Sequence, residues 1–542
     1  MVRLCGRALS SDPGRFDGCA VKRPPQPYDS GTFRRLCWET SPKDPQRLRD
    51  RRYVAGRYYH GIGVPGRRRS DSLNLGRYPP GTRTSRIGGH GEHKTACRLD
   101  RCCGGARRGG RGRCRSAWPC RARTSLINSA EVVIIGAGLA GLACAQRLTR
   151  AGMDVLILEA SDAVGGRVRT DVIDGYRCDR GFQLINPAYP ALRKVLDLEE
   201  LDLRAFDAGA VVAHGLQRWI LADPRREPTR LLATARAPLG SMVEKLRFAA
   251  WAAQSLLPVR RQLAEPDRTL SADLDAAELR GSLRTGVVEP FLAGVLAERD
   301  GSTSAQFAKL LVRSFVLGTP AVPSLGIQRL PELLAASLPG TAIRLGAAVQ
   351  SLTTGGVRTE GEEIEARAVV IATDPGTASS LTRQPAVRMK PLTTFWHTGA
   401  EPPTRQRLLH LDADLRGPVV NTAVMTTVAP TYAPAGRCLI ATTTLGADGS
   451  AEAERAARRH AGQIYGADPG AWELVTTHVI KDALPVQEPP LQVRQPVALS
   501  DRLFVAGDHR DTASIQGALV SGRRAATAVL VQLATSSADS SG

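Results

Sequence analysis

Glu131-Val132-Val133-Ile134-Ile135-Gly136-Ala137-Gly138-Leu139-Ala140-Gly141 decides the fold. Its four consecutive β-branched apolar residues, Val132 to Ile135, read as a strand buried on both faces. A Gly136-x-Gly138-x-x-Gly141 turn follows. The first glycine permits the tight exit from the strand, and the second lets the backbone approach a pyrophosphate. The third lets the next helix sit close to the strand. That helix carries Leu139, Leu142, Ala145 and Leu148 on one face, and Gly152 stands at its expected end. Asp154 to Leu158 reads as a second strand closed by Glu159, 18 residues after Gly141. An acid at that offset accepts hydrogen bonds from an adenosine ribose, while the helix N-terminus offers free N–H groups to the phosphates. The alternative is a parallel-sheet turn that merely happens to be rich in glycine. The strand, helix, second strand and terminal acid together favour a dinucleotide site.

Downstream, Gly165-Gly166-Arg167 brings backbone close to a ligand and then delivers a guanidinium, a combination suited to phosphate or a flavin. Near the C-terminus, Leu503 to Ala506 forms a short apolar run ending in Gly507-Asp508. Gln516, Gly517 and Ala518 then open a helix with small residues at Ala518, Ser521, Gly522 and Ala525. Small residues let a helix N-terminus approach a bulky flat ligand. Between the two ends, 188–318 reads as mainly helical with proline breaks, and a helix starts near Pro331. Strands are expected over 342–352, 363–371, 392–396 and 438–444.

Of the net charge of +21, nearly all lies at one end. Residues 1–128 hold 29 basic and 9 acidic residues, and the remainder holds 44 and 43. The body is therefore electrically neutral, and its charge gives no argument for a nucleic-acid partner. Eight of the eleven cysteines also lie in 1–128. A zinc module of His90, His93, Cys97 and Cys102 fits no common ligand spacing, so no metal is expected. A nucleic-acid tail and a transit peptide compete for this segment, and the preferred reading is a disordered or non-native extension. In the body, Cys144, Cys178 and Cys438 are scattered, which suits a reducing, cytoplasmic setting without disulfides. No apolar run reaches the length of about 18 residues that a membrane span needs. The stretch Leu239 to Leu257 reads as a core helix with a solvated basic face. The competing reading lays it on a membrane surface as a peripheral contact.

Gly136 to Glu159, Gly165-Gly166-Arg167, the Ala372-Thr373 strand end and Gly507 through Ala526 together resemble the flavin-dependent amine oxidase superfamily. That group includes monoamine oxidases, protoporphyrinogen oxidases and phytoene desaturases. The resemblance spans roughly residues 130–535 and implies FAD as cofactor. It implies an α/β fold with a Rossmann-type FAD-binding domain from 129–190, 320–380 and 495–535. A discontinuous α+β substrate domain would come from 191–319 and 381–494. By the same resemblance Glu159, with Ala160 beside it, holds the adenosine ribose and Val349 meets the adenine. Gly165, Gly166 and Arg167 lie near the pyrophosphate and flavin, and Gly507 and Asp508 serve the ribityl-pyrophosphate side.

The implied reaction is hydride transfer from a C–H of an apolar or amine-bearing small molecule to flavin, where the cofactor carries the chemistry. Lys390 and His509 are the candidate catalytic residues, and each also reads as a packing or surface residue. Ser514 stands where amine oxidases of the superfamily typically place an aromatic residue that steers an amine. A serine offers no π face. The expectation is therefore an apolar substrate, as for a carotenoid desaturase or protoporphyrinogen oxidase, with a non-catalytic flavin-binding protein as the alternative. The oligomeric state is not readable from the sequence.

Overall fold

The computed structural model describes residues 129–340 and 342–539, so the readings made on 1–128 lie outside it. Fourteen strands form two seven-stranded sheets. In chain order they are β1 Ser129–Ile135, β2 Val155–Leu158, β3 Gly209–His214, β4 Gln217–Ala222, β5 Ile343–Arg344, β6 Val349–Leu352, β7 Gly356–Thr359, β8 Glu363–Ile371, β9 Met389–Gly399, β10 Leu409–Asp412, β11 Val419–Val424, β12 Cys438–Leu445, β13 Glu473–Pro485 and β14 Leu503–Val505.

The first sheet runs β6-β7-β8-β1-β2-β5, and β14 pairs with β8. β1 lies parallel between β2 and β8, with Ile135 opposite both Leu158 and Ile371. Its apolar run has two faces. Val132 and Ile134 enter one core with the helix α1, Leu139–Arg150, while Val133 and Ile135 enter another with Leu156, Leu158 and Ile371. A strand sandwiched in this way has no polar face, which is why the sequence shows no alternation. α1 ends on Gly152 at φ +83°, a left-handed position that glycine takes without strain.

In the second sheet the order is β13-β9-β12-β11-β10-β3-β4. Two of its strands, β3 and β4, fall inside the stretch read as mainly helical. Gly209 to Ala213 is small and apolar because β3 is central and mostly buried, so it lacks alternation. The hairpin turns at Gly215, φ +58°.

Helices α2 Leu231–Arg236, α3 Met242–Gln254, α4 Val259–Gln262 and α5 Ala305–Leu317 follow. Here the expectation of a core helix is corrected. α3 buries one side chain, Trp251, and leaves Met242, Val243 and Leu246 exposed. After β8 comes the short helix α6, Pro375–Thr382. α7, Ala451–Tyr465, lies on the second sheet and is pinned by two buried histidine–carboxylate pairs. His397 Nε2 meets Glu454 at 2.9 Å and His460 Nε2 meets Asp412 at 2.8 Å. His460 Nδ1 accepts the Val419 N–H at 3.0 Å, so the Nε2 hydrogen is the one donated to Asp412. The chain closes with α8, Ile515–Asp539, which returns to pack on α1.

Candidate functional site

The site is built on the turn after β1. Gly136 takes φ +102°, and a Cβ there would lie 2.8 Å from the Ala372 carbonyl oxygen. A Cβ on Gly141 would lie 2.0 Å from the Gly136 carbonyl oxygen. Both glycines are thus demanded by backbone packing. Gly138 differs: the one atom near its Cβ position is 4.0 Å away, so its outer side is open. Gly138 is also the N-cap of α1 and supplies no side-chain acceptor, so Leu139, Ala140 and Gly141 begin a helix without a side-chain cap. An open glycine beside uncapped amides is the local geometry that a pyrophosphate requires.

Glu159 stands directly under this turn. Its Oε2 accepts the buried Ala137 N–H at 2.7 Å. Its Oε1 accepts the Ser161 N–H at 2.9 Å and the Ser161 hydroxyl at 2.7 Å. Sequence reasoning passed over Ser161, whose signal is a hydroxyl two residues after the acid. Ala160 is exposed beside it. Val349 starts β6, and the strand's lead-in is tied to the same place because Ala347 N–H donates to the Glu159 carbonyl at 2.8 Å.

The Gly-Gly-Arg turn closes the other side. Gly165 N–H donates to the Ala137 carbonyl at 2.9 Å, and Gly165 and Gly166 take φ +122° and +59°. Arg167 then reaches across the fold. Its Nη2 meets Asp508 Oδ1 at 2.6 Å, and its Nη1 donates to the Ala483 carbonyl of β13 at 2.8 Å. Burial works against the guanidinium charge, but Asp508 outweighs it and raises the Arg167 pKa. Asp374, the N-cap of α6, adds to that field.

Asp508 is positioned by the final helix. Gly507 N–H donates to Ser521 Oγ at 2.9 Å. Ser514 Oγ accepts the Gly517 N–H at 3.1 Å and so caps α8, which opens at Ile515 rather than at Gly517-Ala518. Gln516 Oε1 accepts the Ala191 N–H at 2.9 Å. A Cβ on Gly522 would lie 2.1 Å from the Ala140 carbonyl oxygen, so α8 and α1 cross backbone to backbone.

The two catalytic candidates sit differently. His509 is buried beside Asp508, and its Nδ1 has no hydrogen-bond partner. Lys390 on β9 forms an ion pair with Glu298 and donates to Thr303 Oγ1 at 2.8 Å and the Leu296 carbonyl at 3.2 Å. Its ammonium is therefore already satisfied by protein.

Residues 139–530 match the flavin containing amine oxidoreductase family. The chain belongs to that family. Its cofactor is FAD, which suits the open Gly138, the uncapped α1 and the unpartnered Nδ1 of His509. Putrescine oxidase of Kocuria rosea is 42% identical over 76 residues, which is 14% of this chain and 16% of that protein. The matches to such curated relatives span 7–16% of their length. Two solved structures share the fold over almost their whole length. An oxidoreductase from Methanosarcina mazei has TM-score 0.59 at 17% identity, covering 72% of this chain and 99% of that one. Cyclohexylamine oxidase from Brevibacterium oxydans IH-35A has TM-score 0.58 at 17% identity, covering 74% and 99%.

Burial lowers the His509 pKa to about 4, while Asp508 pulls the other way and Arg510 and Arg167 lower it further. A histidine held neutral in the fold protonates first in the unfolded chain. Stability is then lost as pH falls from about 6.5 toward 4, by up to about 3 kcal/mol. His509→Gln should flatten urea-melt stability across that window relative to the unsubstituted chain. An unchanged slope in the variant would refute a buried neutral His509. His410 is also lowered to about 4, and the comparison between variants removes its contribution.

Proposed function

We propose that this chain is an FAD-dependent oxidoreductase acting on a C–H bond of a small apolar molecule. The observation that carries the reading is the Arg167–Asp508 ion pair, which joins the Gly165-Gly166-Arg167 turn to the Gly507-Asp508 turn ahead of α8. The first sheet with α1 and α8 would form the FAD-binding domain, drawn from 129–190, 320–380 and 495–535. The second sheet and helices α2 to α5 would form the substrate domain, drawn from 191–319 and 381–494. In this reading the amides at Leu139 to Gly141 and the Arg167 guanidinium hold the pyrophosphate. Glu159 accepts the ribose hydroxyls with the lone pairs left by Ala137 and Ser161. Asp508 orients Arg167 and meets the ribityl side, and Val349 lies against the adenine.

When bound, FAD supplies a two-electron acceptor for hydride from the substrate. The protein's share is orientation and exclusion of water. His509, neutral with Nδ1 unpaired, is the residue we assign to accept or hold a proton beside the cofactor. Lys390 would act through its pairing with Glu298 and Thr303, at the junction of β9 with the helix Glu289–Leu296.

Ser514 favours the apolar substrate over an amine. Its hydroxyl is engaged in capping α8, and it presents no ring to a cation. The named activities of the putrescine and cyclohexylamine oxidases support the amine reading instead, so the test must separate the two. We place the protein in the cytoplasm and peripheral to a membrane. Cys144, Cys178 and Cys438 are free and buried, and no helix among the described residues is long and apolar enough to cross a bilayer.

Anaerobic mixing of the yellow protein with polyenes, porphyrinogens and amines tests this reading. A polyene or tetrapyrrole precursor should bleach the flavin, while benzylamine and common polyamines should not. Hydrogen peroxide formed from such an amine at ordinary rates of about 1–10³ per second would overturn the apolar reading. Bound FAD bleached by no candidate would favour a flavin-binding protein without turnover.

A further inference from the structure

α3 has two apolar faces, and only one is covered. Phe248, Trp251 and Ala252 pack into the helical core, with Trp251 Nε1 donating to Asp273 at 2.8 Å. The opposite side carries Met242, Val243, Leu246, Ala249, Ala250 and Ala253, flanked by Arg247 and Gln254. A solvent-facing helix side is ordinarily charged. Here Met242 and Val243 are each 55% exposed and Leu246 is 66% exposed.

The elements on either side of α3 in the chain carry further exposed apolar residues. Leu231 and Leu232 of α2 are exposed, as are Leu256, Leu257 and Val259 around α4. Of the 17 exposed large apolar residues in the described chain, 8 fall within 231–259. A concentration of that kind marks a docking face rather than scattered surface hydrophobics.

The face is held rigid. Lys245 Nζ donates to the Ala235 carbonyl at 2.9 Å and the Ala237 carbonyl at 2.8 Å, tying α3 to the end of α2. Gln262 Nε2 donates to the Ser255 carbonyl at 2.7 Å, and Arg313 of α5 donates to the same oxygen at 2.9 Å. The apolar residues are therefore presented together by a fixed scaffold.

Charge selects the partner. Residues 229–264 contain six basic residues and one acid, Glu244. That acid is spent in a capping box with Ser241, accepting its N–H at 2.9 Å. Arg236, Arg260 and Arg261 are exposed near the apolar residues in the chain, whereas Arg247, also exposed, is ion-paired with Glu278. Apolar side chains flanked by an excess of arginine over acids, Glu278 and Glu265 being the exposed acids nearby, complement the headgroup region of an anionic bilayer.

We propose that α2, α3 and α4 form the surface by which this protein docks onto an anionic membrane, with Met242, Val243 and Leu246 entering the acyl boundary. This deepens the peripheral location given above and does not depend on which substrate is oxidised.

The FAD-loaded full chain is mixed with vesicles of phosphatidylcholine alone, or of phosphatidylcholine with phosphatidylserine. Because 1–128 carries 29 basic and 9 acidic residues, sedimentation with anionic vesicles would not by itself identify the face. The combined Met242→Ser, Val243→Ser and Leu246→Ser variant isolates it. Its binding should fall by at least about tenfold with melting temperature and FAD content unchanged. In parallel, the indole introduced by Leu246→Trp should shift to the blue and be quenched by brominated lipid. Undiminished binding of the triple variant, or an indole that lipid does not quench, overturns the proposal. A dimer dispersed by the triple variant overturns it too, since the face would then join two copies. Loss of FAD from the unsubstituted chain would instead count against the oxidoreductase reading.

Discussion

Replacing Glu159 by alanine is expected to weaken FAD retention by about 1–3 kcal/mol, or roughly five- to 150-fold in affinity. Two losses combine. The ribose hydroxyls lose their acceptor, and the fully buried Ala137 N–H inside the glycine turn loses its partner at 2.7 Å. Glu159→Gln separates the two. A glutamine keeps one acceptor oxygen, so it can restore the Ala137 bond while removing the charge. Equilibrium dialysis of FAD against the purified variants measures the ladder. The order expected is the unsubstituted chain, then Glu159→Gln, then Glu159→Ala. Equal retention by all three would remove Glu159 from the site.

A second large effect is expected at Gly522. α8 crosses α1 so closely that a Cβ there would meet the Ala140 carbonyl oxygen at 2.1 Å and the Ala140 carbonyl carbon at 2.9 Å. Both contacts are backbone, and neither can rotate away. Gly522→Val must push the helices apart, at a cost of about 1–3 kcal/mol or more. The damage reaches the cofactor because Ala140 lies in the first turn of α1 and α8 carries Ser521, the partner of Gly507. Gly522→Val should therefore melt earlier and also lose FAD. Thermal unfolding and flavin content, measured on the same preparation, check both. A variant with unchanged melting temperature would mean that the crossing is looser than these distances state.

The part of the site legible in the sequence was its local part. Val132 to Glu159 carries its own signals: a β-branched run, three spaced glycines, a helical stripe and a terminal acid. Each is written within thirty residues of sequence, so each leaves a local trace even where the contact behind it is distant, as between Gly136 and Ala372. Gly507-Asp508 was legible for the same reason. The Arg167–Asp508 pair was not, because its partners are 341 positions apart and nothing local marks them. Ser514 was read as a missing aromatic, and its present task as the cap of α8 needed the helix start to be fixed first.

Two elements were misread for physical reasons. β3 is small, apolar and central, so burial on both faces erased the alternation that announces a strand. α3 was assigned to the core because apolar residues ordinarily point inward, yet its outer side is apolar as well. Sequence periodicity records which residues are apolar, not which of two apolar sides finds a neighbour. α7 was not read from the sequence, although Ala457, Ala461, Ile464 and Tyr465 recur at helical spacing on its buried side. It is located by its buried pairs His397–Glu454 and His460–Asp412.

The central claim is that the two ends of the described chain build one FAD cradle, with Arg167 and Asp508 as its clasp. Flavin released by heat denaturation of the purified protein, identified as FAD or FMN by chromatography and counted against protein, tests it most directly. The account predicts one extractable FAD per chain, with the amount falling in both Asp508→Ala and Glu159→Ala. A protein that carries no FAD and takes up none when it is supplied, or that keeps full FAD in both variants, would contradict it.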